Sequence, residues 1–153
     1  MIGARKTTSS SGLSASVFVD CYRFKADILD SRGDWAGAQE WYAKAVKLGP
    51  TLPAGYYSWG LALARHHDLA GAEAKLMDAS QRGPHWADPL KAWGDVLAEQ
   101  GKTREALAKY AEALKYAPNW EQLKKALEKQ KARDEVTWMA APKREQVRPV
   151  TRS

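Results

Sequence analysis

The sequence repeats itself at an interval of 34 residues. Residues 49–60 read GPTLPAGYYSWG and residues 83–94 read GPHWADPLKAWG, so the same Gly-Pro opening and Trp-Gly ending recur at this interval. An alignment of the chain with itself at the same offset gives three copies, at residues 19–52, 53–86 and 87–120. A fixed period of this length is typical of repeat proteins, in which each copy folds as one small unit and packs on the next.

The copies agree at positions where helix packing demands a particular side-chain size. The eighth position is small, the eleventh is leucine, the twentieth and twenty-seventh are alanine, the twenty-fourth is large and the thirty-second is proline. In the third copy these residues are Gly94, Leu97, Ala106, Tyr110, Ala113 and Pro118. Small residues allow two helices to approach closely, while large ones fill the space that remains. With apolar residues at spacings of three and four, the pattern predicts two helices of about a dozen residues in each copy.

The turns inside the copies have signals of their own. Gly33, His67 and Gly101 fall where a helix usually ends in the left-handed backbone conformation. Asp68 follows His67 directly and is predicted to cap the next helix with its carboxylate. Each copy therefore reads as a helical hairpin with a short turn.

Two further sites predict the starts of new helices. Asp88 precedes Pro89, which is the order expected of an N-cap followed by proline at the first helical position. Asn119 and Gln122 resemble a capping box, in which two side chains bond to the free backbone N–H groups of a helix start. New helices are therefore expected near residues 89 and 120.

The matched positions resemble the tetratricopeptide repeat (TPR), whose signature is W-x2-L-G-x2-Y, then A-x3-F, then P within 34 residues. The second copy has Tyr56, Trp59, Gly60, Leu63, Ala72, Leu76 and Pro84 at these places, and the third has Leu90, Trp93, Gly94, Leu97, Ala106, Tyr110 and Pro118. The first copy is weaker, with Lys25 where the others have tryptophan. The resemblance, which extends to bacterial tandem arrays, implies that Trp59 and Trp93 are core residues.

The resemblance implies an all-α fold, a right-handed α-solenoid of three TPR helical hairpins plus a C-terminal capping helix. The TPR domain is expected at residues 14–135, with the capping helix at 121–135. One hairpin cannot bury its apolar face alone, so the hairpins are expected to stack on one another. Residues 1–13 are predicted to form a flexible N-terminal tail, and residues 136–153 a basic, disordered C-terminal tail.

The sequence contains no motif of a familiar catalytic site. It has no glycine-rich phosphate loop, no G-x-S-x-G elbow, no H-E-x-x-H pair and no kinase signature. His66 and His67 are adjacent, and adjacent residues of a helix face different ways, so a solvated turn is predicted in place of a metal or acid–base cluster. Cys21, the single cysteine, is expected to pack as a small apolar side chain. We therefore expect no enzyme activity, no metal and no cofactor.

The net charge of +6 lies outside the repeats. Residues 19–120 carry 13 basic and 13 acidic residues, whereas residues 1–18 contribute +2 and residues 121–153 contribute +4. Neutral repeats argue against a nucleic-acid groove, and only the basic segment APKREQVRPVTRS at residues 141–153 keeps weak nucleic-acid binding as an alternative. No segment approaches the roughly 20 apolar residues of a membrane-spanning helix. With one cysteine, a cytoplasmic protein without membrane contact is expected.

One stripe of the first helices is the expected binding surface. If positions 4, 8 and 11 face the core, positions 2, 5, 9 and 12 share the opposite face. In TPR arrays this stripe lines a concave groove for extended or helical peptides, and the resemblance implies these groove residues: Arg23, Phe24, Asp27, Tyr57, Leu61, Arg65, Lys91 and Asp95. Carboxylates lie toward both ends and apolar residues in the middle. The expected partner is therefore a protein segment with basic residues around an apolar anchor.

Some TPR domains hold a C-terminal carboxylate with a clamp of asparagine, lysine and arginine in this groove. The resemblance places Asp27, Asp88 and Ala92 at those positions here. The two carboxylates would repel such a ligand, and the methyl group of Ala92 cannot donate a hydrogen bond to it. These residues argue against a role in binding chaperone tails.

These features favour a non-enzymatic protein–protein interaction scaffold. A second hypothesis is a regulatory C-terminal fragment of a larger multi-domain bacterial protein, either an enzyme or a transcription regulator. The apolar SVFV at residues 16–19 motivates it, because this segment leads into a helix that no earlier repeat covers. The sequence leaves the partner and the oligomeric state open.

Overall fold

A computed structural model describes residues 8–143 and residue 146, with side chains described from residue 15 onward. This part of the chain contains seven α-helices and no strand: α1 Thr8–Ser31, α2 Trp35–Leu48, α3 Pro53–Arg65, α4 Leu69–Arg82, α5 Ala87–Glu99, α6 Thr103–Tyr116 and α7 Glu121–Ala140. The predicted all-α fold is confirmed. Residues 1–7 of the predicted N-terminal tail, and most of the basic C-terminal segment, lie outside the described residues.

The helices pair and stack in sequence order. The strongest contacts join α1 with α2, α3 with α4, and α5 with α6, which are the three predicted hairpins. Each hairpin then contacts the next, through α1 and α2 against α3 and through α4 against α5, and α7 closes the stack on α6. This arrangement confirms the α-solenoid of three hairpins and a final helix, and it aligns α1, α3 and α5 along one side.

The predicted turn conformations are confirmed. Gly33 and Gly101 have φ values of 83° and 78°, and His67 is a non-glycine residue with a positive φ, 59°. At the next residue, Asp68 accepts a hydrogen bond of 3.0 Å from the backbone N–H of Gly71 and caps α4. A histidine in this conformation costs more than a glycine, so the middle hairpin has the most strained of the three turns.

The helix starts near residues 89 and 120 are real, but both predicted capping residues are wrong. Trp86 is the N-cap of α5, which places Asp88 inside the first turn. Trp120 is the N-cap of α7 and makes no side-chain capping bond, so Asn119 and Gln122 form no capping box. Both tryptophans pack instead. The ring centroids of Trp86 and Tyr57 lie 4.7 Å apart in an edge-on arrangement, and Trp120 packs against the hydrophobic cluster formed by α5, α6 and α7. Tertiary packing, not side-chain capping, sets these helix starts.

The ends of the array differ from the predicted boundaries. Helix α1 begins at Thr8, inside the segment predicted as a flexible tail at residues 1–13. Helix α7 continues to Ala140, five residues past the predicted end of the cap at residue 135. Trp138 is half-buried and lines a cavity with Gly101 and Arg104 at the start of α6, so packing supports the extra turn. None of the described helices has the length and apolar character needed to span a membrane.

Close helix approach inside each hairpin depends on the small residues. Ala38, Ala72 and Ala106 are fully buried. A Cβ atom added at Gly94 would lie 2.6 Å from the ring of Tyr110, and one at Gly60 would lie 2.8 Å from Leu76. The large residue at position 24 therefore packs directly on the backbone of the small residue at position 8.

Two predictions about single side chains have different outcomes. Trp59 and Trp93 pack against the hydrophobic clusters while keeping part of their surface exposed, which agrees with their predicted place at the core. Cys21 is exposed, so its predicted burial is wrong. Gly55 and Pro89 occupy the position of Cys21 in the second and third copies. Both are buried, because α3 and α5 each pack on the hairpin before them.

Candidate peptide-binding groove

The stripe predicted from helical spacing runs across α1, α3 and α5, of which α3 contacts both others directly. We call it the groove face and define it by positions 2, 5, 9 and 12 of each copy. Its residues are Asp20, Arg23, Asp27 and Asp30 in α1, Ala54, Tyr57, Leu61 and Ala64 in α3, and Asp88, Lys91, Asp95 and Ala98 in α5.

In the outer two hairpins, a tyrosine of the second helix reaches this face and binds an aspartate of the first. The Tyr42 hydroxyl donates to Asp27 in the first hairpin, and the Tyr110 hydroxyl donates to Asp95 at 2.8 Å in the third. Burial and then the hydrogen bond to the carboxylate raise the pKa of both tyrosines well above the ordinary value. Lys91 also contacts Asp95, at 2.7 Å. These two aspartates are therefore partly satisfied within the chain.

The middle hairpin replaces this polar pair with two leucines. Leu61 stands at the aspartate position and Leu76 at the tyrosine position, and Leu76 is fully buried. An open cavity of about 310 Å³ lies beside this leucine pair, between α3 and α5. Its lining consists of Leu61, Ala64, Arg65, Leu76, Ala92, Asp95, Val96 and Glu99. This is an apolar floor with charged groups at the rim.

Tyr57 lies one helical turn before Leu61 on the groove face. Burial raises the pKa of its hydroxyl, and the nearby negative charges of Asp88 and Asp95 raise it further. The ring is held edge-on by Trp86. The groove face thus has a tyrosine hydroxyl and two carboxylates beside the apolar cavity, a combination that attracts a cationic group.

A cluster across the first two hairpins was missed by the sequence analysis. Asp30, with a side chain only 9% exposed, accepts hydrogen bonds from Arg65 at 2.9 Å and His66 at 2.5 Å. The His66 ring stacks on Trp35 with centroids 4.0 Å apart. Burial alone would raise the pKa of Asp30, but the bonds and positive charges of Arg65 and His66 hold it below the ordinary value. His66 is therefore a structural contact, not the free solvated residue that was predicted.

The adjacent His67 points elsewhere, because it lies past the end of α3 in the left-handed backbone conformation. Its Nδ1 atom lies 3.2 Å from Glu99 of α5, while His66 contacts Asp30 of α1. Among the described residues no group of three metal-ligating side chains comes together.

Helix α7 adds two basic residues that the sequence analysis did not assign to the groove. Lys129 and Arg133 line a cavity of about 340 Å³ together with Asp95, Glu99 and Tyr110. A signal for them existed, because a further step of 34 residues from Asp95 and Glu99 leads to these two positions. The end of the groove face next to α7 is therefore mixed in charge, and its predicted acidic character is wrong.

Comparison with known proteins agrees with this architecture. Residues 87–120 match the family model described as tetratricopeptide repeat. The chain has the fold of a tetratricopeptide repeat protein. Similar solved structures include the Sgt2 TPR domain from Aspergillus fumigatus, with a TM-score of 0.73, 17% identity, and coverage of 88% of this chain and 89% of that one. The Arabidopsis OM64 TPR domain has a TM-score of 0.70 and 18% identity over 78% of this chain and 98% of that one.

A third similar structure contains a ligand. It is the first TPR of Spaghetti (RPAP3) bound to the HSP90 peptide SRMEEVD, with a TM-score of 0.70, 20% identity, and coverage of 76% of this chain and 93% of that one. No curated protein matches the sequence.

Within this TPR array, five of the predicted groove residues lie on α3 and α5. Leu61, Arg65 and Asp95 line the central cavity, with Tyr57 one turn away and Lys91 bonded to Asp95. These residues form one continuous surface on α3 and α5.

The predicted residues of α1 make different contacts. Asp27 stays on the groove face under Tyr42. Arg23 donates to Asp20 at 3.0 Å and to Ser58 at 3.2 Å, so it joins the first two hairpins. Phe24 is 54% exposed at the edge of the groove face, with the Arg23 guanidinium 4.4 Å from its ring centroid. Ser58, at the same position in the second hairpin, is buried against α1.

Proposed function

We propose that this TPR protein is a non-enzymatic interaction scaffold that binds a peptide segment of a partner protein along the groove face. The observation that carries the proposal is the cavity of about 310 Å³ between α3 and α5, with an apolar floor and a charged rim. A cavity of this size accepts one large side chain, and polar groups around it fix the backbone that bears that side chain.

Two similar structures support a peptide ligand. The first TPR of Spaghetti (RPAP3) is bound to an HSP90 peptide, and the second TPR domain of human RPAP3 is in complex with the HSP70 peptide SGPTIEEVD. Both identities are 20% or lower, so the likeness supports the mode of binding and leaves the ligand open.

The ligand that fits this chain is different in charge. The negative charges of Asp88 and Asp95 act on the Tyr57 hydroxyl, so an acidic peptide would meet repulsion there. We propose a segment with an aromatic or aliphatic anchor in the central cavity and a lysine or arginine beside Tyr57. Lys129 and Arg133 favour neutral or acidic residues at the other end of the segment. The basic flank is thus expected on one side of the anchor only.

A peptide-binding measurement separates these possibilities. Fluorescence anisotropy would compare a labelled peptide with one lysine pair and one phenylalanine anchor, the same peptide with glutamate in place of lysine, and SRMEEVD. We expect the lysine peptide to bind about tenfold more tightly than either acidic peptide, because each favourable contact with a carboxylate contributes about 1 kcal/mol. Tighter binding of SRMEEVD would refute the proposed ligand chemistry, and no binding of any peptide would refute the groove.

A matched pair of variants tests the cavity itself. Ala64 lines the cavity, so Ala64→Phe fills it and should lower the affinity for the lysine peptide about tenfold or more. Ala111 is an exposed alanine of α6 away from the cavity, and Ala111→Phe adds the same ring without an effect on binding. Equal affinities for the two variants would contradict the assignment of the anchor site.

The proposal includes a cytoplasmic location, which the single cysteine supports. Cell fractionation with an antibody against the chain tests it, and recovery from a secreted or membrane fraction would contradict it.

A further inference from the structure

The outer face of α1 carries a stripe of exposed apolar side chains. Val17, Phe18, Phe24 and Ile28 are 59%, 53%, 54% and 51% exposed, and the exposed Cys21 lies between them. Val17, Cys21, Phe24 and Ile28 follow one another at spacings of four, three and four residues, so they share one side of the helix. Such a run of large exposed apolar residues marks an interaction surface.

The equivalent face of α3 shows what this surface does elsewhere in the molecule. Positions 3, 6 and 10 are Gly55, Ser58 and Ala62, and all three are buried. An added Cβ at Gly55 would lie 3.3 Å from Val46 of the preceding hairpin, and Ser58 bonds to Arg23 of α1. The corresponding residues of α5 are buried in the same way. In α3 and α5 this face stacks on the hairpin before, whereas in α1 no described element covers it.

The side chains on the α1 face are too large for the stacking used inside the array. Phe24 and Ile28 stand where α3 has Ser58 and Ala62. A helix at the internal spacing would collide with the Phe24 ring, because interiors are close-packed. The matching surface must offer a gap for this ring and apolar contacts around it.

We propose that the same face of a second copy binds here, so that two α1 helices pack antiparallel with Cys21 near the two-fold axis. Phe18 lies three residues before Cys21 and Phe24 three residues after it. In an antiparallel pair, Phe24 of each copy therefore meets Phe18 of the other, and the small Cys21 leaves room between the rings. A two-fold contact uses one surface twice and closes into a dimer.

The charges next to the stripe permit this contact. The two cations beside it are already engaged within the chain. Lys25 lies 3.7 Å from the Trp41 ring centroid, and Arg23 bonds to Asp20 and lies 4.4 Å from the centroid of the Phe24 ring at the edge of the stripe. In the antiparallel register Lys25 opposes Val17 of the second copy, not another cation. Like charges therefore do not face each other across the axis.

The other end of the array is a poorer surface for α1. Helix α7 also exposes two apolar side chains, Val136 and Met139, but its exposed positions are mostly charged or polar. The charged exposed residues of α7 are Glu121, Lys125, Glu128, Lys129, Lys131, Arg133 and Glu135. Head-to-tail stacking would press the apolar stripe onto these charges, so the symmetric contact is favoured.

Sedimentation velocity of the full chain from about 10 µM to about 500 µM tests the proposal, because one helix per copy gives an interface below standard size and a weak dimer. We expect a monomer–dimer equilibrium for the wild type. Phe24→Ser with Ile28→Ala installs the residues found at positions 58 and 62 and should weaken association at least about tenfold. Both positions are exposed, so an unchanged circular dichroism spectrum should accompany the loss.

The matched control removes apolar surface at the other end. Val136→Ser with Met139→Ala alters two side chains of greater exposure on α7 and should leave association unchanged. A wild type that stays monomeric throughout, or a dimer that the α7 pair disrupts and the α1 pair does not, would overturn the proposal.

Cross-linking tests the register. Cys21 is the single cysteine, so mild oxidation with copper phenanthroline forms a covalent dimer only through Cys21 of both copies. A disulfide requires Cα atoms within about 7 Å. We expect rapid cross-linking of the wild type and none for Cys21→Ser with Ala43→Cys, which moves the thiol to an exposed site on α2. A dimer that cross-links no faster through Cys21 than through residue 43 would overturn the antiparallel arrangement.

Discussion

The middle hairpin and its two neighbours solve the same packing problem with different chemistry. The outer hairpins join their helices with Tyr42 to Asp27 and Tyr110 to Asp95, whereas the middle one uses Leu76 and Leu61. The polar pairs occupy their own carboxylates, and the cavity of about 340 Å³ beside Tyr110 and Asp95 is lined by charged residues of α7. The cavity of about 310 Å³ beside the leucine pair has an apolar floor. One exchange at two positions of the repeat thus changes the lining of equivalent cavities from polar to apolar.

The largest change in the free energy of unfolding is expected when the apolar contact of the middle hairpin is removed. Leu76 is fully buried, so Leu76→Ala leaves a void and should lower the free energy of unfolding by about 2–5 kcal/mol. Tyr110→Phe in the third hairpin keeps the ring, loses one hydrogen bond and should cost only about 0.5–1.5 kcal/mol. Urea unfolding curves of both variants give the comparison. Equal losses would mean that the two kinds of hairpin are not held together differently.

The next effect concerns the close approach of Tyr110 to its partner helix. The Cβ of Gly94→Ala would lie 2.6 Å from the Tyr110 ring, so the ring must move, and we expect a loss of about 1–3 kcal/mol. The first hairpin already has an alanine, Ala26, at this position against Tyr42. Thermal melts measured with Ala111→Gly as a matched helix control would show the difference. A melting temperature equal to that of wild type would remove the assigned contact.

Replacing the leucine pair of the middle hairpin with the aspartate–tyrosine pair of its neighbours should change stability less but should weaken peptide binding. Leu61→Asp with Leu76→Tyr gives the middle hairpin the residues of its neighbours, and Gly60 matches Gly94 in leaving room for the ring. We expect the fold to persist and peptide affinity to fall about tenfold, a change of about 1.4 kcal/mol. Anisotropy with the lysine peptide measures it. Retained affinity would show that the apolar lining of the central cavity does not hold the anchor.

The smallest effect is the pH dependence of the joint between the first two hairpins. The pKa of Asp30 is lower in the folded chain than in the unfolded one, so its contribution to stability is present above pH about 4 and is lost as the pH falls through the folded pKa. Asp30→Asn should therefore be less stable than wild type at pH 7, and the difference should shrink in acid. Urea midpoints across this range test the sign, and a difference that grows in acid would contradict the assigned ion pairs.

The sequence predicted the features that repeat locally. Gly33, His67 and Gly101 mark turns because a left-handed backbone is required at one place in every hairpin. Buried alanines at positions 20 and 27 recur because the two helices of each pair approach in the same way. Helical spacing placed Tyr57 and Leu61 on one side of α3, and the resemblance to TPR arrays marked that side as the predicted groove face.

Features that depend on neighbours distant in the chain were not predictable in this way. Asp30 and His66 are 36 residues apart, and no sequence pattern predicts their contact. The burial of Cys21 was predicted wrongly because its exposure depends on whether another hairpin packs on α1. Lys129 was missed since the 34-residue register was not continued into α7.

The most direct test of the account is a nuclear magnetic resonance titration of the ¹⁵N-labelled chain with the lysine peptide. If the peptide anchors between α3 and α5, the amide shifts should change most at Leu61, Ala64, Ala92 and Val96 and stay constant along α2 and α6. Shifts concentrated on the second helices of the hairpins, or spread evenly over the chain, would contradict a binding site in the central cavity.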